Sequence, residues 1–239
     1  ELEIVTRRPG ADRWLVRLRP DDGPAQVIVY NTRTRQARTL MHQPAALKGA
    51  PLARMHPVSI PARDGMSLPG YLSLPPWADQ QGQASGPLPM VLLVHDGPWM
   101  RERWGYDPRH QWLTNRGYAA LSVHYRGSAG FGKRFEDAGT GQWGAAMQDD
   151  LLDAVSWAET QGVARPGAVA VMGAGYGGYA TLSALQAAPN ALACGVSLMG
   201  PPNLETWAEA LQHTWPPAFE RFAQRVGDPR TAEGQALLK

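Results

Sequence analysis

VAVMGAGYGGYA, residues 169–180, passes from an apolar strand through a glycine-rich turn into small residues able to start a helix. This is the pattern of a nucleophile elbow, G-x-S-x-G, in which a tight strand-to-helix turn lifts a serine hydroxyl above a sheet. Gly175 stands at the serine's place. The turn is therefore predicted without the side chain it normally presents. Gly175 is expected at positive φ, where a non-glycine residue is strained by about 1–3 kcal/mol.

Outward from the elbow, short and nearly all-apolar strands alternate with helical segments, the pattern of a parallel sheet covered on both faces. The predicted strands are 90–95 (MVLLVH), 119–125 (AALSVHY), 168–173 (AVAVMG) and 193–199 (ACGVSLM). Met147, Leu151, Val155 and Ala158 form a stripe at helical spacing, and HQWLTNRG predicts a shorter helix ending at Gly117. Before these, Arg63-Asp64-Gly65 lies between two β-prone runs and predicts a hairpin. A hairpin followed by βαβαβ, with an elbow after the third parallel strand, is the order of an α/β-hydrolase fold. Two more strands of that fold are expected after Lys239, so the fold is predicted incomplete at its C-terminal end. The elbow is expected at the sheet's centre, with an edge after residue 199 covered by another chain, a second copy included, or by further residues.

The first forty residues alternate instead like antiparallel structure, with LEIV, RWLVRLRP, QVIVYN and RQARTL separated by turn-rich PGADR, DDGPA and NTRT. Four short strands make about one β-propeller blade, which has nothing of its own to stack on. The organisation predicted is a terminal blade over 1–41, a linker over 42–57 rich in Pro and Ala, and a truncated α/β-hydrolase domain over 58–239. The chain is expected to begin inside a longer protein.

A formal charge of +2 gives no support for nucleic-acid binding, and no run of 18 apolar residues suggests a membrane span. The chain is expected to be soluble, with no preference between cytoplasm and periplasm. Cys194, the only cysteine, excludes an internal disulfide and a cysteine-rich metal site, and its apolar neighbours predict a buried thiol. Neither a metal nor a cofactor is expected.

HDGPW (95–99), WGYDPRHQWLTNRGYAAL, YRGSAGFG (125–132), GQWG (141–144), DDLLDAVSWA and GAGYGGYATL occur in this order. Together they resemble the prolyl oligopeptidase family of serine peptidases, above all its acylaminoacyl-peptidase-like and dipeptidyl-peptidase-like branches. The resemblance covers residues 50–239, and the preceding blade resembles the end of that family's propeller. It implies hydrolysis of peptides or acyl-peptides by acyl transfer, with the rest of a propeller restricting access. It also implies that the oxyanion donors are the backbone N–H groups of Tyr176 and Gly97.

Serine hydrolysis needs a hydroxyl, an imidazole, an orienting carboxylate and oxyanion donors. Gly175 removes the first, a loss on the order of 10⁶ in rate. The acid and histidine should follow the elbow in that order, yet Asp228 follows His213. Glu209 and His213 have the right order but sit at i, i+4, as a solvated helix pair does. The family's acid and base are expected beyond Lys239. The chain is therefore predicted to be inactive, and the alternative is a pseudoenzyme that binds peptides or serves as a scaffold. Asp96 replaces the first glycine of the family's H-G-G-P motif; its carboxylate either faces solvent or turns inward, where it opposes a developing negative charge. Trp99, with Trp104, Trp112 and Trp143, lies on loops at the strand C-terminal edge, and Trp99 is the candidate substrate contact. His95, His110 and His124 read as scaffold residues, Ser128 lacks a phosphate-loop context, and Asp149 and Asp150 read as capping or surface charge.

Overall fold

Val, Ile and Tyr alternate with Arg and Gln over the first forty residues, and in the structure, a computed structural model describing residues 1–41, 47 and 49–238, they pair as a meander. Strands β1 (Leu2–Arg7), β2 (Arg13–Leu18), β3 (Gln26–Asn31) and β4 (Gln36–Met41) form a four-stranded antiparallel sheet in sequence order, where the blade is predicted. Leu2, Ile4, Val5, Leu40 and Met41 are exposed on it.

The turn after β2 seats this sheet on the rest of the chain. Asp21 is buried, accepts the Met55 amide at 3.0 Å and pairs with Arg54. Part of the segment predicted as linker, residues 42–46 and 48, lies outside the described residues. Its last part is structured, because Ala53 and Met55 are buried and their backbone is held by Gln111 and by the Trp104 indole N–H. A strand, β5 (His56–Pro61), begins inside it.

β5 pairs with β6 (Ser67–Ser73) around the predicted Arg63-Asp64-Gly65 tip, with Gly65 at φ 85°. A small ribbon, β7 (Asp79–Gln80) and β8 (Gln83–Ala84), leads to β9 (Leu88–Val94). There follow α1 (Pro108–Thr114), β10 (Ala119–Val123), α2 (Lys133–Asp137), α3 (Ala146–Thr160), β11 (Ala164–Ala174), α4 (Tyr176–Ala187) and β12 (Cys194–Leu198). Helices α5 (Leu204–Thr214), α6 (Pro216–Arg225) and α7 (Ala232–Leu237) complete the chain.

The main sheet has the order β12-β11-β9-β10-β6-β5, with β12, β11, β9 and β10 parallel and the hairpin antiparallel. Both faces of β9 and β10 are buried, which is why those strands read as unbroken apolar runs. Met90, Leu92, Leu121, Val169 and Val171 join the core containing the α3 stripe, while Val91, Leu93 and Ala120 pack with Leu113 of α1 on the other face.

Two expectations need correction. The elbow strand β11 is second from the edge of the described sheet rather than central, because only β12 lies beyond it. Cys194 is exposed, and so are Val196 and Leu198, because alternate residues of edge strand β12 face outward where no described element covers them. Apolar composition placed Cys194 on a strand but did not reveal its missing cover.

Candidate active site

The elbow forms where it is predicted. β11 ends at Ala174, Gly175 turns with φ 54° and ψ −119°, and α4 starts at Tyr176. The turn requires a second glycine, since a Cβ on Gly177 would press to 3.1 Å from the Val94 carbonyl carbon and 3.3 Å from the His95 oxygen. These contacts wedge the elbow against the loop that follows β9, and that loop carries HDGPW.

The loop brings Asp96, Gly97 and Tyr176 together. Asp96 is exposed as a residue, yet its carboxylate is turned toward the elbow. Oδ1 accepts the Gly97 amide at 2.7 Å and the Tyr176 amide at 2.8 Å, the two N–H groups implied as oxyanion donors. Its carboxylate also fills the volume of the missing serine: a Cβ built on Gly175 would lie 2.5 Å from Asp96 Cγ and 2.7 Å from Oδ2. The inward alternative for Asp96 therefore holds. The physical reason is local, because α4 has a glycine N-cap with no side-chain acceptor, and a carboxylate at a helix N-terminus supplies both the acceptor and a favourable charge.

Beneath this loop, His95 stacks on Tyr125 with ring centroids 4.4 Å apart. Its Nε2 lies 2.9 Å from Ser128 Oγ, whose hydroxyl donates to the Tyr125 carbonyl, and Tyr125 Oη lies 3.1 Å from Nδ1. Ser128 Oγ, having donated to the Tyr125 carbonyl, can accept from Nε2–H, and the Tyr125 hydroxyl donates to the His95 carbonyl at 3.1 Å. Burial pushes the His95 pKa down to about 4, so the ring is neutral. His110, fully buried between Ser73 and Ser122, is pushed to about 4 for the same reason. His124 is lowered by burial and faces the carbonyls of Pro69 and Glu102. All three have scaffold geometry, and Ser128 belongs to the His95 network.

Trp99 is half-buried against the core, with the Arg221 guanidinium 5.7 Å from its ring centroid. Trp143 lies in a buried aromatic cluster with Tyr176 and Trp207, Trp104 binds the linker backbone, and Trp112 is exposed on α1. The elbow does not meet the remaining acid and base candidates. His213 Nδ1 bonds the Glu209 carbonyl on exposed α5, and Asp228 pairs with Arg230. Among the described residues no group of three or more His, Cys, Asp or Glu could hold a metal, and no helix is long and apolar enough to cross a membrane.

One reading is overturned. Asp149 is a partly exposed partner of Arg63, but Asp150 is fully buried and binds Arg126 at 2.7 Å through Oδ1 and 2.9 Å through Oδ2. Burial pushes the Asp150 carboxyl upward against the pull of Arg126. Its position carried a usable signal, since residue 150 lies three residues from Met147 and four from Ala154 on the apolar side of α3.

A mixed sheet with a strand–turn–helix elbow after its third parallel strand defines an α/β-hydrolase domain. The profile of the prolyl oligopeptidase family, peptidase S9, matches residues 104–230, and the chain belongs to that family. It is 46% identical over 243 residues to dipeptidyl aminopeptidase BIII of Pseudoxanthomonas mexicana, covering all of this chain and 35% of that protein. It is 40% identical over 255 residues to dipeptidyl peptidase family member 6 of Caenorhabditis elegans, covering 100% and 34%. The solved structure of a Mycobacterium tuberculosis puromycin-hydrolyzing peptidase superposes with a TM-score of 0.82 at 25% identity, over 95% of this chain and 34% of that one. The chain thus spans about a third of the length of these relatives. Its fold is that of an S9 catalytic domain.

Proposed function

We propose that this domain keeps the peptide-binding cleft of an S9 peptidase but not its acyl-transfer chemistry. Gly175 carries the reading: the elbow has the right backbone and no hydroxyl, and the space for that hydroxyl holds the Asp96 carboxylate. Acyl transfer also needs empty donors for the oxyanion, and here an anionic oxygen already sits on both. The ligand class is a peptide, as the relatives' names as dipeptidyl peptidases suggest, with Trp99 a candidate contact. The exposed apolar residues of the β1–β4 sheet support its reading as a propeller blade that packs on the rest of a propeller or on another chain.

The test is a fluorophosphonate probe on the purified chain, followed by peptide mapping. No stoichiometric adduct is expected, because no activated hydroxyl stands at the elbow. An adduct on the 169–180 peptide or on Ser197, or turnover of a dipeptidyl anilide, rejects the reading.

A further inference from the structure

We propose that Asp96 sets the ligand chemistry of this cleft: it shuts out carbonyl oxygens and oxyanions, and offers its second carboxylate oxygen to an alkylammonium or guanidinium group. The inference rests on the reading of the cleft as a binding site without acyl transfer.

The exclusion follows from occupancy. Both amides that would polarise a carbonyl donate to Oδ1 at 2.7 and 2.8 Å, so an incoming acceptor must displace a charged oxygen from two hydrogen bonds. A neutral carbonyl is a weaker acceptor than a carboxylate. An oxyanion would in addition meet a like charge.

The attraction follows from what Asp96 lacks. Among the described residues, every other aspartate lies within ion-pairing distance of an Arg, Lys or His side chain. Asp96 has no such partner, and its hydrogen bonds from described residues all end on Oδ1, leaving Oδ2 without a donor. Gly175 has no side chain to cover that oxygen, and the residue is exposed. Arg221, the cation beside Trp99, is engaged over the indole ring. A fixed carboxylate with one oxygen anchored and the other open suits a charge-assisted N–H donor from outside the chain.

The experiment follows the Gly97 and Tyr176 amide resonances of the ¹⁵N-labelled chain. The probes are n-butylammonium and N-acetyl-argininamide, with N-acetyl-alaninamide as the uncharged control and phenylboronate as the oxyanion-forming probe. Both cations should shift these resonances saturably and the neutral amide should not. Affinity should fall roughly tenfold or more in Asp96→Asn, which keeps an acceptor for the two amides but loses the charge. Phenylboronate should leave the parent unperturbed and shift both resonances in Asp96→Gly, a second variant whose donors are open. Cations that bind parent and Asp96→Asn alike, cations that do not bind, or boronate seated in the parent would each overturn the proposal. A phosphonate adduct instead rejects the underlying reading, so the two failures are distinguishable.

Discussion

Asp96 and Gly175 share one volume, and this makes their energetics inseparable. In the parent, Gly175→Ala introduces strain at φ 54° and drives the Asp96 carboxylate off two backbone donors. The first effect costs about 1–3 kcal/mol, offset by about 1 from the lost freedom of glycine. The second adds about 2 kcal/mol, as for hydrogen bonds to a charged group. In an Asp96→Gly background only the strain remains. A double-mutant cycle by denaturant unfolding should therefore show a coupling of about 2 kcal/mol, with Gly175→Ala milder in that background than in the parent; additivity within error would mean that the carboxylate does not occupy the elbow. Gly175→Ser in the parent should likewise cost more than the roughly 1 kcal/mol that backbone strain alone implies. The sequence announced the vacancy at 175 and its positive φ. It left the direction of Asp96 open, because an aspartate side chain can serve either water or a helix N-terminus, and only the approach of the β9 loop to α4 selects between them.

Helix α3 shows how an element can carry more than its hydrophobic stripe suggests. Asp149, Asp150 and Asp153 hold the hairpin tip and the loop after β10: Arg63 binds Asp149 and Asp153, while Arg126 reaches Asp150 and Asp64. Asp150→Ala strips the buried Arg126 of its bidentate partner and should destabilise by about 3 kcal/mol, whereas Asp149→Ala at the exposed neighbouring pair should cost under about 1. Equal losses in chemical denaturation would refute the assignment of the buried partner. The stripe, the hairpin tip and the parallel strands were legible because each rests on a local period or turn signal. Strand ends were less so: β11 begins at Ala164, four residues before the apolar run, because Ala164 pairs across an irregular register with Leu88. Cys194 was misjudged because the cover over a strand is a property of its neighbours in space.

For the whole molecule, two buried neutral histidines set the acid limit. His95 and His110 have pKa values near 4 in the fold against 6.5 when exposed, so the unfolded chain binds more protons between these values. Their contribution is fully present above pH 6.5 and is lost as the pH falls toward 4, about 3 kcal/mol for each. Unfolding free energy should decline across that window, and His110→Gln should reduce the slope; a flat profile between pH 7 and 4 would mean that these rings are hydrated. The sequence marked both residues as scaffold, but the serine partners of His110, contributed by β6 and β10, needed the sheet order to be seen. The meeting of the β9 loop with the elbow also has a consequence for substitution. A serine placed at position 175 collides with the carboxylate, and a glycine placed at position 96 leaves two amides without their protein acceptor. The two positions therefore constrain each other: a side chain at 175 and the inward carboxylate at 96 exclude one another, so a change at either is expected to be tolerated best when the other changes with it.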